Sequence, residues 1–190
     1  MIEYSNTLVL IGHTCSGKTT LAKELEKLGY ERIITYTTRP IRPGEIDGID
    51  YHFITEGEFE KKITEGFFAE VTHYNANFGG CYYGSAKSDY LEPDKKKVIV
   101  LNPRGVRNLT IPCTVVYLDA PKEIILKRAM LRGDSIDEVE RRYSSDKIDF
   151  DGIVGYLVNS NHNAWLYPVC EDSISQITAV ALTNHLKTFA

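Results

Sequence analysis

The chain has 190 residues, with 22 Lys and Arg against 26 Asp and Glu and a formal net charge of −4 at pH 7. A broad electrostatic hold on nucleic acid or anionic membrane is therefore not expected, and any phosphate recognition must be local. The length suits one α/β domain with a full core and a small insertion.

Cys15, Cys81, Cys113 and Cys170 are far apart and form no CxxC or metal-ligand spacing. That usage fits free thiols in a reducing compartment. No signal-like N-terminus is seen and no apolar run approaches the roughly eighteen residues of a membrane span, so the reading is a cytoplasmic protein without membrane partners, monomer or homodimer.

In chain order, residues 7–11 are a continuous apolar run ending at Gly12 and predict a buried parallel strand. Leu21, Leu25 and Leu28 recur at helical spacing until Gly29. Strand, glycine-containing loop and helix form the first unit of a doubly wound sheet. From 36 to 89 the texture changes to short β-like pieces at 51–53, 67–72 and 81–83, many glycines and a helix near 58–65. This predicts an inserted α+β subdomain in a core of residues 1–35 and 90–190. Further strands are predicted at 98–101 and 114–118, with a shorter one at 156–158. A helix is expected over 122–131, and the charged segment 132–142 is a candidate mobile lid within about residues 130–143. A last amphipathic stretch carries Ile174, Ile177, Ala181 and Leu186.

Gly12-His13-Thr14-Cys15-Ser16-Gly17-Lys18-Thr19 satisfies GxxxxGK[ST]. The pattern follows a predicted strand and opens a predicted helix, so the backbone of Gly12, Thr14, Cys15, Ser16, Gly17 and Thr20 would converge on one anion. Lys18 adds a cation for the β and γ phosphates of ATP, and the Thr19 hydroxyl is placed to ligate Mg²⁺. The bland alternative is a glycine-rich turn entering a helix. Cys15 reads as chemically idle and His13 as a solvated loop residue. No Asn-Lys-x-Asp segment of a GTPase and no frame large enough for a motor ATPase is present, which leaves a small-molecule kinase. Such an enzyme needs a second anion site to align donor and acceptor.

Residues 35–45 supply Arg39 and Arg42 in a segment stiffened by Pro40 and Pro43, and guanidinium forks match phosphate oxygens. Tyr51 and Tyr83 could add phenolic hydrogen bonds, and Glu70 behind Phe67 and Phe68 could accept from a guanine edge. Taken singly, each residue has an ordinary surface, core-edge or turn explanation. Together, Thr37-Thr38-Arg39-x-x-Arg42-x-Gly44-Glu45, Gly48-x-Asp50-Tyr51-x-Phe53 and Tyr83-Gly84-Ser85 resemble the nucleotide-binding stretch of guanylate kinases, with the phosphate loop in register. The resemblance runs from the first strand to about Asn159. It implies that Arg39, Arg42, Tyr51 and Tyr83 hold the acceptor phosphate, that Glu70, Thr35 and Ser85 read guanine, and that Glu45 orients the arginines. The fold class implied is α/β: a P-loop NTPase-type parallel sheet flanked by helices, with an inserted nucleoside-monophosphate-binding subdomain and a lid.

Of the lid cations, Arg132 and Arg142 are the expected contacts to the transferring phosphoryl group, which needs positive charge around its equatorial oxygens. Arg128 and Arg141 either join them or pair on a helix surface with Glu123 or Glu138. Asn159 resembles the residue near adenine, or is a turn asparagine. Three departures from the family pattern stand out. The usual Asp-x-Asp-x-x-Gly is Val100-Leu101-Asn102-Pro103-Arg104-Gly105, the stretch 74–80 is longer, and Thr35 stands where serine is commoner. Asn102 still offers an uncharged oxygen to a base or a metal-bound water. The expected reaction is phosphoryl transfer from ATP·Mg²⁺ to GMP or dGMP. Another nucleoside monophosphate, ribose bisphosphate, or a non-catalytic binding module are the alternatives.

Overall fold

The computed structural model describes residues 4–74 and 80–169. The amphipathic stretch predicted after residue 170 and the extra length before Gly80 fall outside them.

Strand β1 (Thr7–Gly12) is buried throughout, and it leads through the glycine-rich loop into α1 (Lys18–Lys27). Then come β2 (Glu31–Arg32), β3 (Tyr36–Thr37), β4 (His52–Phe53), α2 (Glu56–Thr64), β5 (Phe68–Tyr74), β6 (Cys81–Ala86), α3 (Lys87–Tyr90) and β7 (Lys97–Val100). The chain continues through α4 (Pro103–Asn108), β8 (Thr114–Asp119), α5 (Lys122–Arg132), α6 (Ile136–Phe150), α7 (Ile153–Asn159) and β9 (Asn163–Pro168).

The central sheet has the order β2-β7-β1-β8-β9 and is parallel throughout. A strand with neighbours on both edges and helices on both faces has nowhere to put a polar side chain, which is why β1 reads as an unbroken apolar run. Its pleat splits the core in two. Leu8 and Leu10 pack with Leu21, Leu25 and Ile125, whereas Val9 and Ile11 pack with Ile99, Val115, Phe150 and Ile153.

The segment between β2 and β7 forms a second sheet of order β4-β3-β6-β5. Thr55 and Glu58 make a capping box at the start of α2, and that helix drives Phe59 onto Phe68 and Tyr82 with ring centroids 4.4 and 5.2 Å apart. The antiparallel register pairs Glu70 with Ser85, Thr72 with Tyr83 and Tyr74 with Cys81. Alternate residues therefore project from one face as a polar surface.

One expectation is corrected. Residues 156–158 are part of α7, not a strand. Gly152, in a left-handed conformation with φ 67°, starts that helix, and Ile153 and Leu157 are buried one turn apart. The fifth strand is β9, whose alternately half-buried and exposed residues lack the apolar run of an interior strand because it lies at the sheet edge. The charged stretch 132–142 is helical on both sides of a turn at Gly133, whose φ of 78° ends α5.

Candidate active site

The phosphate loop leaves the carboxyl end of β1 between β7 and β8, where an open α/β sheet presents its crevice. Gly12 has no room for a side chain, since a Cβ there would lie 2.5 Å from Ser16 Oγ and 2.7 Å from the Leu118 carbonyl. Cys15 adopts φ 55° and Gly17 φ 103°. Lys18 donates from Nζ to the carbonyls of Gly12 and His13, both at 2.7 Å, and burial pulls its pKa down to about 8. The Thr14 N–H donates to Asp146 Oδ2 on α6 at 2.6 Å. A protein carboxylate thus occupies a donor of the anion cradle. Thr19 and Thr20 are exposed on the first turn of α1. His13 is not a solvated loop residue. It is buried against Phe150 and Tyr143, with ring centroids 4.5 and 5.0 Å away, and that burial lowers its pKa and keeps the imidazole neutral at pH 7.

Beside the loop, a cavity of about 840 Å³ is lined by Thr35, Arg39, Arg42, Tyr51, Glu70, Tyr83 and Asn102, all singled out in the sequence, together with Thr72, Tyr74, Cys81, Arg141 and Arg142. At its outer end Arg39 pairs with Glu45 Oε1 at 2.8 Å, and the Arg42 N–H donates to Glu45 Oε2 at 2.8 Å. Glu45 raises the Arg39 pKa and so keeps its charge firm. The Arg39 guanidinium lies 5.4 Å from the Tyr51 ring centroid. At the inner end Ser85 Oγ–H donates to Glu70 Oε1 at 2.9 Å and lies 2.8 Å from the Tyr90 hydroxyl. Glu70 is 4% exposed, and burial pushes its carboxyl up to about 7 despite the bond from Ser85. Gly105 lets this carboxylate approach α4, because a Cβ there would stand 3.2 Å from Glu70 Oε2. The Asn102 oxygen caps α4 by accepting from the Gly105 N–H at 2.7 Å, so the oxygen expected to face a base or metal-bound water is already engaged.

Helices α5 and α6 carry the four arginines to two places. Arg128 donates to the Ser16 carbonyl at 2.9 Å, and Arg132 reaches Cys15 Sγ at 3.3 Å while its Nε donates to Asp134 at 2.8 Å. Both therefore lie at the phosphate loop, and Cys15 packs against a cation there. Arg141 and Arg142 line the acceptor cavity and both bond Glu138, with Nε distances of 2.7 Å, which holds that carboxyl down at about 2. Arg141 pairs with Glu138 as weighed from the sequence, and Arg142 shares the same carboxylate.

Asn159 is not brought to the site. It lies at the end of α7 and donates to the Gly155 carbonyl at 2.7 Å. The helix leads into β9, whose first residue pairs with Thr114 at the start of β8, whereas Gly12 pairs with Leu118 near the other end. Asp146, Thr72 and Tyr74 escaped the sequence reading. Asp146 is one helical turn beyond Arg142, but a lone acid on a charged helix carries no local signal. Thr72 and Tyr74 could have been found from the period-two spacing that starts at Glu70.

A parallel sheet with a phosphate loop at its carboxyl edge, next to an arginine-lined acceptor cavity, defines a P-loop kinase of the nucleoside monophosphate class. The family model described as guanylate kinase matches residues 4–147, and the chain belongs to the guanylate kinase family. It is 35% identical to the guanylate kinase of Sulfurimonas denitrificans over 173 residues, covering 81% of this chain and 80% of that one. It is 31% identical to that of Onion yellows phytoplasma over 196 residues, covering 95% and 87%. The crystal structure of guanylate kinase from Anaplasma phagocytophilum superposes with a TM-score of 0.62 at 15% identity, covering 98% of this chain and 87% of the other, and supports the fold.

Proposed function

We propose that the protein transfers the γ-phosphoryl group of ATP to GMP or dGMP. The observation that carries this reading is the bridge made by α6, which sends Asp146 into the phosphate loop and, one turn earlier, Arg142 into the cavity. Donor and acceptor sites are thereby joined by one helix, as in-line transfer requires. ATP phosphates replace the Asp146 carboxylate on the loop amides, and Lys18 exchanges its two carbonyls for phosphate oxygens. Arg39, Arg42, Tyr51 and Tyr83 hold the acceptor phosphate, and Arg132 and Arg142 neutralise the transferring group once they release Asp134 and Glu138. Glu70, Ser85 and Thr35 receive the base.

Among the described residues no group of three His, Cys, Asp or Glu side chains could hold a metal ion. The exposed Thr19 hydroxyl, on the first turn of α1, would be the protein ligand of a Mg²⁺ ion that arrives with the nucleotide. Bound there, the ion would supply positive charge that neutralises the phosphates during transfer.

The test is ADP formation from ATP·Mg²⁺ with GMP, dGMP, AMP, UMP, CMP, dTMP and ribose bisphosphate offered singly. Turnover confined to GMP and dGMP is expected, and a different preferred acceptor would reject the guanine pocket. Arg42→Ala should raise the KM for GMP roughly 10- to 100-fold, the worth of a charge-assisted bond, with the KM for ATP nearly unchanged. An effect on ATP alone would overturn the role of Arg42.

A further inference from the structure

Thr72 lies on β5 two residues beyond Glu70, so both side chains leave the strand on one face, and both residues line the cavity. Thr72 is 3% exposed, and its hydroxyl oxygen has no hydrogen-bond partner. The hydroxyl is still close enough to the Glu70 carboxylate to favour its ionised form. A buried hydroxyl without a partner costs stability that a valine of the same shape would not. The structure thus holds at the base end of the cavity a polar oxygen that accepts no hydrogen bond.

The neighbouring oxygens are committed. Asn102 Oδ1 accepts from the Gly105 N–H, and Glu70 Oε1 accepts from Ser85. The guanine edge offers three hydrogens: one on N1 and two on the 2-amino group. A carboxylate meeting that edge side-on takes the N1 hydrogen and one amino hydrogen. The second amino hydrogen needs another oxygen.

We propose that Thr72 is a specificity-determining residue of the acceptor site, its oxygen accepting the second hydrogen of the guanine 2-amino group while its own hydrogen turns to Glu70. The inference rests on the guanine reading of the same cavity and refines it. GMP is separated from IMP, which lacks the 2-amino group, by Thr72 as well as by Glu70.

The test is calorimetric binding of GMP and of IMP to the full chain and to Thr72→Val, Thr72→Ala and Thr72→Ser. Thr72→Val and Thr72→Ala should weaken GMP about 5- to 20-fold and leave IMP within about twofold, as expected for one lost hydrogen bond. Thr72→Ser, which keeps the hydroxyl, should bind GMP within about threefold of the parent, and unliganded Thr72→Val should melt no lower than the parent. The alanine variant adds no volume and gives the same reading if valine misfits. Unchanged GMP affinity, or equal losses for GMP and IMP, would overturn the role of Thr72. A parent protein that binds IMP as well as GMP would reject the guanine reading, and this inference with it.

Discussion

Lys18→Ala is expected to lower phosphoryl transfer at least about 10³-fold while the protein keeps its fold. In the resting structure the ammonium is folded onto the carbonyls of Gly12 and His13 at 2.7 Å, and burial has pulled its pKa to about 8. The charge is thus stored beside the cradle in a place that does not favour it. Phosphate oxygens offer it a full negative partner, and this gain grows as charge spreads over the transferring group. Alanine removes that term from the transition state and takes little from the fold, because the buried core begins at Leu21 on this helix. ADP formation gives the loss, and a melting curve by circular dichroism separates it from unfolding. Activity within tenfold of the parent would refute the phosphate-loop assignment.

The second large effect concerns Glu70, and it is visible in pH. With its carboxyl near 7 in the free protein, kcat/KM for GMP should rise about tenfold per unit up to pH 7 and level off toward pH 8, where Lys18 begins to lose its charge, because only the carboxylate can accept from both N1–H and the amino group. Glu70→Gln should flatten this limb and lower kcat/KM for GMP at pH 8 by about 100-fold or more.

Stability should move the other way. The folded-state pKa of about 7 lies above the ordinary 4.5, so the native state holds its proton more tightly than the unfolded chain. The resulting stability is fully present below 4.5 and is lost as pH rises through 7, by about 3 kcal/mol. Glutamine has nothing to lose there, and the melting advantage of Glu70→Gln over the parent should widen between pH 5 and pH 8. A parent profile without a limb near 7, or a variant that melts lower at pH 8, would show that burial does not raise the Glu70 pKa. The cost at neutral pH fits a group kept for an acceptor and not for the fold.

Much of this arrangement was legible in the sequence. The interior strands announced themselves because both of their faces are covered, so β1, β7 and β8 read as apolar runs, and the GxxxxGK[ST] pattern is local in sequence because strand, loop and helix are consecutive. The edge strand β9 was missed because one exposed flank removes the constraint that makes such runs, and the apolar spacing of α7 was too short to tell a helical turn from a strand.

What the chain determines by itself is the cradle and the set of acceptor residues, since these depend on residue type and near spacing. How those groups are engaged depends on packing between distant segments. Asp146 reaches Thr14 across 132 positions, Asn102 turns its oxygen to its own helix, and Glu70 gains its high pKa from a wall of residues distant in sequence. Electrostatics and burial act through space, and no local pattern records which distant side chain will fill the space beside a given atom.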